Sequence, residues 1–539
     1  MTLKTRHLPV GAFTYQHQLS QIICILIKKW CSDRQVFRLL LGPDLATEHD
    51  VLDVPEGLPA YNANRDLKGD KSVSAIAAKV ENYDQWKTAA VKKDRLSGAD
   101  RWRARDESTL YDYRTIRRRL DELRDVRASG DTQRLLFYMH EGFHGNMAGM
   151  GSAALYTRSK FGTKRLITDY INEMVLALEE LEHVPASEVN LQEKLSFYKR
   201  SADCFGRTAL MLSGAGSLGP FHLGVVKALS EQELLPTVIS GASAGSMIAA
   251  IAGTRSAEEL ARMLSSNEII ETLTSIGQDK RTNKRMGRSD VVELVEALIP
   301  DMTFEEAYEE TGRYINVSVA PAAVKQRARV LNAIISPNAC IREAVLASCA
   351  IPGFFPPVTL AAKTAAGERK PYVAYRKWVD GSITHDMPAR RLMRLYGVNH
   401  FISSQANPFV LWAVQNPNSS SVISQLTSVY RDALRDWSKA VYPLTMKMVS
   451  NIYPVNIMTR MWFGLLTQEY TADINISPGL TALNPTKLLS VLSPEETLGL
   501  IRAGEEATWP KIEMIRNCTA VSRSIDRTLI HLEGEAALA

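Results

Sequence analysis

The pentapeptide Gly241-Ala242-Ser243-Ala244-Gly245 constrains this chain more than any other feature. Val238-Ile239-Ser240 before it reads as a short buried strand, and the small apolar residues from 244 to 252 read as a helix. A strand that reverses into a helix over so few residues needs glycine at both shoulders, hence Gly241 and Gly245. Ser243 is then held in a strained backbone with its hydroxyl exposed. The N-terminus of the next helix brings partial positive charge and free N–H groups close to that oxygen. A nucleophilic serine is the functional reading; a tightly packed small-residue turn is the plain one.

The surrounding text supports a strand–helix alternation. Thr208-Ala209-Leu210-Met211-Leu212 is a buried strand and 220–232 a helix, with further strands at 314–319, 377–379 and 401–403. This rhythm over 205–410 predicts an α/β fold, with a mainly parallel sheet and helices on both faces. The flanks differ. Leu166, Ile167, Tyr170, Ile171, Met174, Val175, Leu178 and Leu181 follow a helical period, as do Ile116, Leu120 and Leu123, so 72–204 reads as a helical N-terminal region. Residues 1–71 are irregular, and 411–539 read as a mostly helical C-terminal region. At 539 residues the chain is too long for one core.

About thirty residues before the pentapeptide stands Ser213-Gly214-Ala215-Gly216-Ser217-Leu218-Gly219, following a strand and opening a helix. Its G-x-G-x-x-G spacing fits a dinucleotide fingerprint, but no acidic residue stands about twenty positions on to hold a ribose; Glu231 and Glu233 come too early. The other reading is an oxyanion hole made by the backbone N–H groups of Gly214, Ala215 and Gly216, and the elbow downstream favours it.

A third element, Trp378-Val379-Asp380-Gly381-Ser382, delivers a carboxylate from a strand end into a glycine turn. A serine nucleophile needs a base. Asp380 serves directly, or one of His385, His400 and His531 intervenes; the residues alone leave both open. The Gly-rich run 145–151 lacks the Lys-Ser/Thr ending of a phosphate loop and reads as a flexible connector. His183 and Glu188 match an H-x-x-x-x-D/E acyltransferase pattern by letter, at a helix end containing Pro185.

Composition narrows the classes. The 64 Lys and Arg against 59 Asp and Glu give a net charge of +5, nearly neutral at this length, which argues against a nucleic-acid binder. An excess of the same size lies between Lys87 and Arg127, either a solvated helical face or a surface for anionic lipid headgroups. The stretch 437–468 has no acidic residue and is rich in Met, a core segment or an acyl-chain or membrane-facing patch. Six scattered cysteines, none in a C-x-x-C pair, give no zinc ribbon and suggest a reducing compartment. No signal peptide or membrane span is read, so the expected location is cytoplasmic, with peripheral membrane association open.

Taken in order and spacing, 213–219, 241–245 and Asp380-Gly381 resemble the patatin-like phospholipase family. Ala347-Ser348-Cys349-Ala350-Ile351-Pro352 is similar to its intervening block. Tyr83-Asp84-Gln85-Trp86, Leu136-Phe137-Tyr138, Gly162-Thr163-Lys164 and the segment 470–474 resemble a branch with a helical N-terminal extension. That branch includes lipid-droplet triacylglycerol lipases, plant sugar-dependent lipases and bacterial relatives. The resemblance implies a Ser–Asp dyad without histidine: Ser243 as nucleophile, Asp380 as proton acceptor, Gly214, Ala215 and Gly216 at the oxyanion, no metal and no cofactor. Ala215 and Leu218 stand where the family often has a third glycine and a basic residue. Losing the cation fits neutral glycerides at least as well as phospholipids.

The leading expectation is thus a lipid acyl hydrolase working on triacylglycerol or phospholipid, in peripheral contact with a membrane or lipid-droplet surface. The alternatives are a non-catalytic lipid-binding scaffold on the same fold and a dinucleotide-dependent enzyme.

Overall fold

The computed structural model describes residues 80–141, 144–266, 268–278, 286–323, 328–382, 386–407, 472–478 and 490–538, with three isolated positions between 441 and 447. Residues 1–71, His385 and almost all of 437–468 lie outside the described residues.

The chain forms two compact units, 1–92 and 93–539. Helix α1 (Tyr83–Ser97) begins in the first, where the rings of Tyr83 and Trp86 stack at 5.8 Å. The second unit continues with α2 (Ala99–Ala104), α3 (Tyr113–Ala128), α4 (Thr132–His140), α5 (Arg165–His183) and α6 (Leu191–Phe205). Side-chain caps start several of them: Asp112 accepts the N–H groups of Arg114 and Thr115, and Asn190 and Glu193 close a capping box.

Strands and helices then alternate. They run β1 (Arg207–Leu212), α7 (Pro220–Glu231), β2 (Val238–Gly241), α8 (Ala244–Gly253), α9 (Ala257–Ser265), α10 (Glu268–Gln278), α11 (Arg288–Leu298), α12 (Phe304–Thr311), β3 (Tyr314–Pro321) and β4 (Arg329–Leu331). After these come α13 (Ile341–Ser348), β5 (Ala361–Lys363), β6 (Arg369–Pro371), β7 (Trp378–Asp380), α14 (Ala389–Tyr396), β8 (Val398–Ser404) and β9 (Ile474–Ile476). The helices α15 (Pro494–Thr508) and α16 (Ile512–Leu538) follow.

One sheet of seven strands has the order β4-β3-β2-β1-β8-β9, with β7 also paired to β3. The pairs β1–β2, β2–β3, β1–β8 and β8–β9 are parallel; β4 and β7 run antiparallel to β3. The sheet is therefore mainly parallel, as the strand–helix rhythm predicts. Helices cover both faces. Leu392 and Tyr396 of α14 pack on Ala209, Met211 and Val238, while Gly253 of α8 lies against Ile315 on the other face.

The two helical regions that read as separate in the sequence share one core. Val521, Ile525, Leu529 and Leu532 of α16 join Ile116, Leu120 and Leu123 of α3 and the apolar stripe of α5. The run 145–151 is no flexible connector: it forms a 3₁₀ turn at Met147–Gly149, and Met147 and Met150 are anchored in this core. Among the described residues, no helix is long and apolar enough to cross a membrane.

Candidate active site

The register brings three chain ends together. Leu212 at the end of β1 aligns with Gly241 at the end of β2, Gly241 aligns with Val317, and Asp380 at the end of β7 pairs with Val319 on the same strand β3. The loops that follow these ends all emerge at one edge, where α/β sheets place their chemistry.

Ser243 bends β2 into α8 at φ 51 and ψ −127, a left-handed conformation in a residue with a side chain. Such strain costs roughly 1–3 kcal/mol and must be held by neighbours. The Ser243 N–H donates to Ser348 Oγ at 2.9 Å, and Ser348 Oγ in turn donates to Ser318 O at 2.7 Å. The Ser243 carbonyl accepts from the Ser246 hydroxyl at 2.6 Å. Close backbone approach explains the glycines: a Cβ on Gly245 would stand 2.4 Å from Leu212 O, and one on Gly381 would stand 2.4 Å from Ser318 O.

Asp380 is 2% exposed. Burial pushes its carboxyl up to about 6, opposed by the N–H and hydroxyl of Ser382 and by the hydroxyl of Ser243, which faces it. The Ser382 N–H donates to Asp380 Oδ1 at 2.8 Å, and the Asp380 N–H donates to Ala350 O at 3.0 Å. The block 347–352 thus supports both Ser243 and Asp380 from below.

In the glycine loop, Ala215 and Gly216 have no hydrogen-bond partner for their N–H groups among the described residues, and Gly216 has φ 53. Gly214 departs from the expected arrangement. Its N–H donates to Asp386 Oδ1 at 2.7 Å, and a Cβ on Gly214 would stand 3.0 Å from Ser382 Cβ. The amide that a dinucleotide fingerprint would offer to a pyrophosphate is therefore taken. Asp386 is fully buried; burial first, then the neighbouring Asp380, pushes its carboxyl up to about 8.

The alternative bases lie elsewhere. His400 sits on β8 with Nδ1 3.2 Å from Thr208 Oγ1, near the start of β1, and His531 on α16 faces Glu182 at 3.1 Å. His385 is outside the described residues. His183 Nδ1 pairs with its own helix at Glu179 O, and Glu188 accepts from Thr132 Oγ1, so both belong to the helical region. Sequence reading missed three groups. Ser348 lies within a quoted block without a role, Asp386 follows Asp380 in the same loop, and His222 is a buried helix residue with no telling context. Among the described residues, no group of three or more His, Cys, Asp or Glu side chains is arranged to hold a metal ion.

Two family models match the chain: a domain of unknown function, DUF3336, over residues 65–203, and patatin-like phospholipase over 210–393. Triacylglycerol lipase 4 of Saccharomyces cerevisiae is 32% identical across 88% of this chain, which spans about half, 54%, of that protein's length. Triacylglycerol lipase SDP1L of Arabidopsis thaliana is 31% identical, over 82% of this chain and 56% of its own. Triacylglycerol lipase ptl3 of Schizosaccharomyces pombe is 31% identical over 82% of this chain and 93% of its own length. With glycine loop, serine elbow and strand-end aspartate gathered at one sheet edge, and a relative matched over nearly all of its length, the chain belongs to the patatin-like phospholipase family.

Proposed function

We propose that the protein is a serine lipid acyl hydrolase, cleaving carboxylic esters of triacylglycerol or phospholipid through an acyl-enzyme. The observation that carries this is the Ser243 hydroxyl facing a buried carboxyl that no cation neutralises among the described residues. In the first step Ser243 Oγ attacks the ester carbonyl carbon and its proton passes to the Asp380 carboxylate. The carbonyl oxygen takes up the electron pair, and the N–H groups of Ala215 and Gly216 receive it. Collapse expels the alcohol, which leaves with the proton from Asp380. Water then attacks the acyl-enzyme and gives a proton to Asp380, and collapse releases the fatty acid as Ser243 Oγ takes that proton back.

Leu218, without charge near the glycine loop, favours neutral glycerides at least as well as phospholipids. We assign contact with a lipid surface to the segments 353–357 and 371–377. These are joined where Val358 and Trp378 exchange backbone hydrogen bonds at 2.8 Å each. They expose Val373 and Tyr375 beside Arg376 and Lys377, and lead straight into β7 and Asp380. An aromatic ring flanked by cations suits the boundary between headgroups and acyl chains.

A fluorophosphonate probe and fatty-acid release test the reading. Wild type should be labelled at Ser243, and Ser243→Ala and Asp380→Asn should each lose about 10⁴-fold or more in kcat. Near-wild-type release by either variant removes the dyad. An unlabelled, inert wild type leaves the non-catalytic lipid-binding alternative.

A further inference from the structure

The peptide between Ser213 and Gly214 is gripped at both ends. Its carbonyl accepts from His222 Nε2 at 3.0 Å, and its N–H donates to Asp386 Oδ1 at 2.7 Å. His222 and Asp386 are both buried, at 0% and 1% exposure. His222 is fixed from behind, its Nδ1 2.7 Å from Ser404 Oγ. Burial pushes this imidazole down to about 4, so it is neutral, with Nε2–H donating to Ser213 O and Nδ1 accepting from the serine hydroxyl. The Ser213 side chain is held too: its Oγ accepts from the Ala406 N–H at 3.0 Å, and the Ser213 N–H donates to Ser404 O at 3.0 Å.

A peptide plane fixed at its oxygen and its nitrogen anchors the start of the loop, and only the φ and ψ of Gly214 and Ala215 then separate it from the next two planes. Those two carry the Ala215 and Gly216 N–H groups, which have no partner among the described residues. Resting on the acyl-hydrolase reading, we propose that Asp386 and His222 are positioning residues, a two-sided clamp on the Ser213–Gly214 peptide that aims the Ala215 and Gly216 N–H groups at the developing oxyanion and withholds Gly214 from it. A loop of glycine and alanine has little side-chain packing to hold it, so the aim must come from outside. Two side chains from distant segments, one on α7 and one after β7, supply it. The carboxyl of Asp386 therefore acts through the loop and touches no substrate atom.

The test compares wild type, Asp386→Ala and Asp386→Asn in hydrolysis of a soluble p-nitrophenyl butyrate, together with inhibition by a trifluoromethyl ketone that forms a tetrahedral adduct on serine. Losing the acceptor should cost the equivalent of one oxyanion donor, about 10²-fold in kcat with KM within about twofold, and should weaken the ketone by a similar factor. Asparagine keeps a carbonyl oxygen for the Gly214 N–H, and Asp386→Asn should stay within about fivefold of wild type on both measures. Asp386→Ser, whose hydroxyl is too short to reach Gly214, replaces the alanine variant if that one does not fold, with the same expected loss. Wild-type kcat and ketone affinity in Asp386→Ala, or a kcat loss in Asp386→Asn as large as in Asp386→Ala, overturns the clamp alone. A wild type inert toward both ester and ketone removes the hydrolase reading and the clamp with it.

Discussion

Two buried ionisable sites of opposite fate sit in the same unit. Lys164, at the start of α5, is completely buried. Its ammonium donates to the carbonyls of Trp102, Arg105 and Glu107 at 2.7, 2.9 and 3.0 Å and lies 4.2 Å from the centre of the Trp102 ring. Three donors meet three acceptors, so every proton is used. At the sheet edge, Asp380 and Asp386 are also buried; burial raises the proton affinity of both, and the charge of Asp380 adds to the rise at Asp386. The first arrangement ties a chain segment down. The second keeps two carboxyls at elevated proton affinity, which destabilises the ionised fold. A buried ammonium with an acceptor for each proton ties the fold together; a buried carboxyl held at raised proton affinity beside a strained serine is a candidate for chemistry.

Substitution should separate the two. Asp380→Asn loses activity on the scale given above, yet its Tm at pH 8 should rise, since an uncompensated buried carboxylate is replaced by a neutral amide; a fall in Tm would break the contrast. Lys164→Met should do the reverse. Three carbonyls lose a charged donor and its cation–π contact, which costs about 3 kcal/mol in urea unfolding, while kcat on a soluble ester stays within about twofold. A tenfold kcat loss at full stability would move Lys164 into the catalytic group.

The pH profile sharpens the point. On the proposed dyad only ionised Asp380 would accept the serine proton, so kcat/KM on a soluble ester should fall about tenfold per pH unit below an inflection near 6. The same shift acts on stability with the opposite sign. A carboxyl raised in the fold contributes stability that is complete below the ordinary Asp range and is lost as pH rises through about 6 for Asp380 and about 8 for Asp386. An activity profile flat from pH 5 to 8 would sink the single-carboxylate base. The smallest effect belongs to the exposed tip: Val373→Ser with Tyr375→Ser should lower activity on phosphatidylcholine–triolein emulsion about fivefold and leave the soluble ester unchanged.

How much of this was legible varies with the range of the interaction. The strands β1, β2, β3 and β8 and the helices α3, α5, α7 and α8 are readable because periodicity and glycine placement are local signals. The three-residue strands β4 and β9 are too short to carry a period and exist only through their neighbours. The arginine-rich stretch 87–127 offered two readings by letter. In the fold Arg117 pairs with Asp106 at 2.7 Å, Arg124 with Glu173 at 3.3 Å and Arg127 with Glu180 at 2.8 Å. These three arginines are engaged in ion pairs within the helical region.

From its letters alone the chain determined a strand–elbow–helix around Ser243, a glycine loop before it and an aspartate at a later strand end. Each depends on residues within a few positions of one another. Only the tertiary structure decided that Asp386 takes the Gly214 N–H, that Ser348 steadies the strained serine, and that α16 completes the core of the N-terminal helices. Those contacts join segments from about a hundred to about four hundred residues apart. Which side chain fills a given neighbour's hydrogen bond or cavity is settled by packing, and periodicity does not record it.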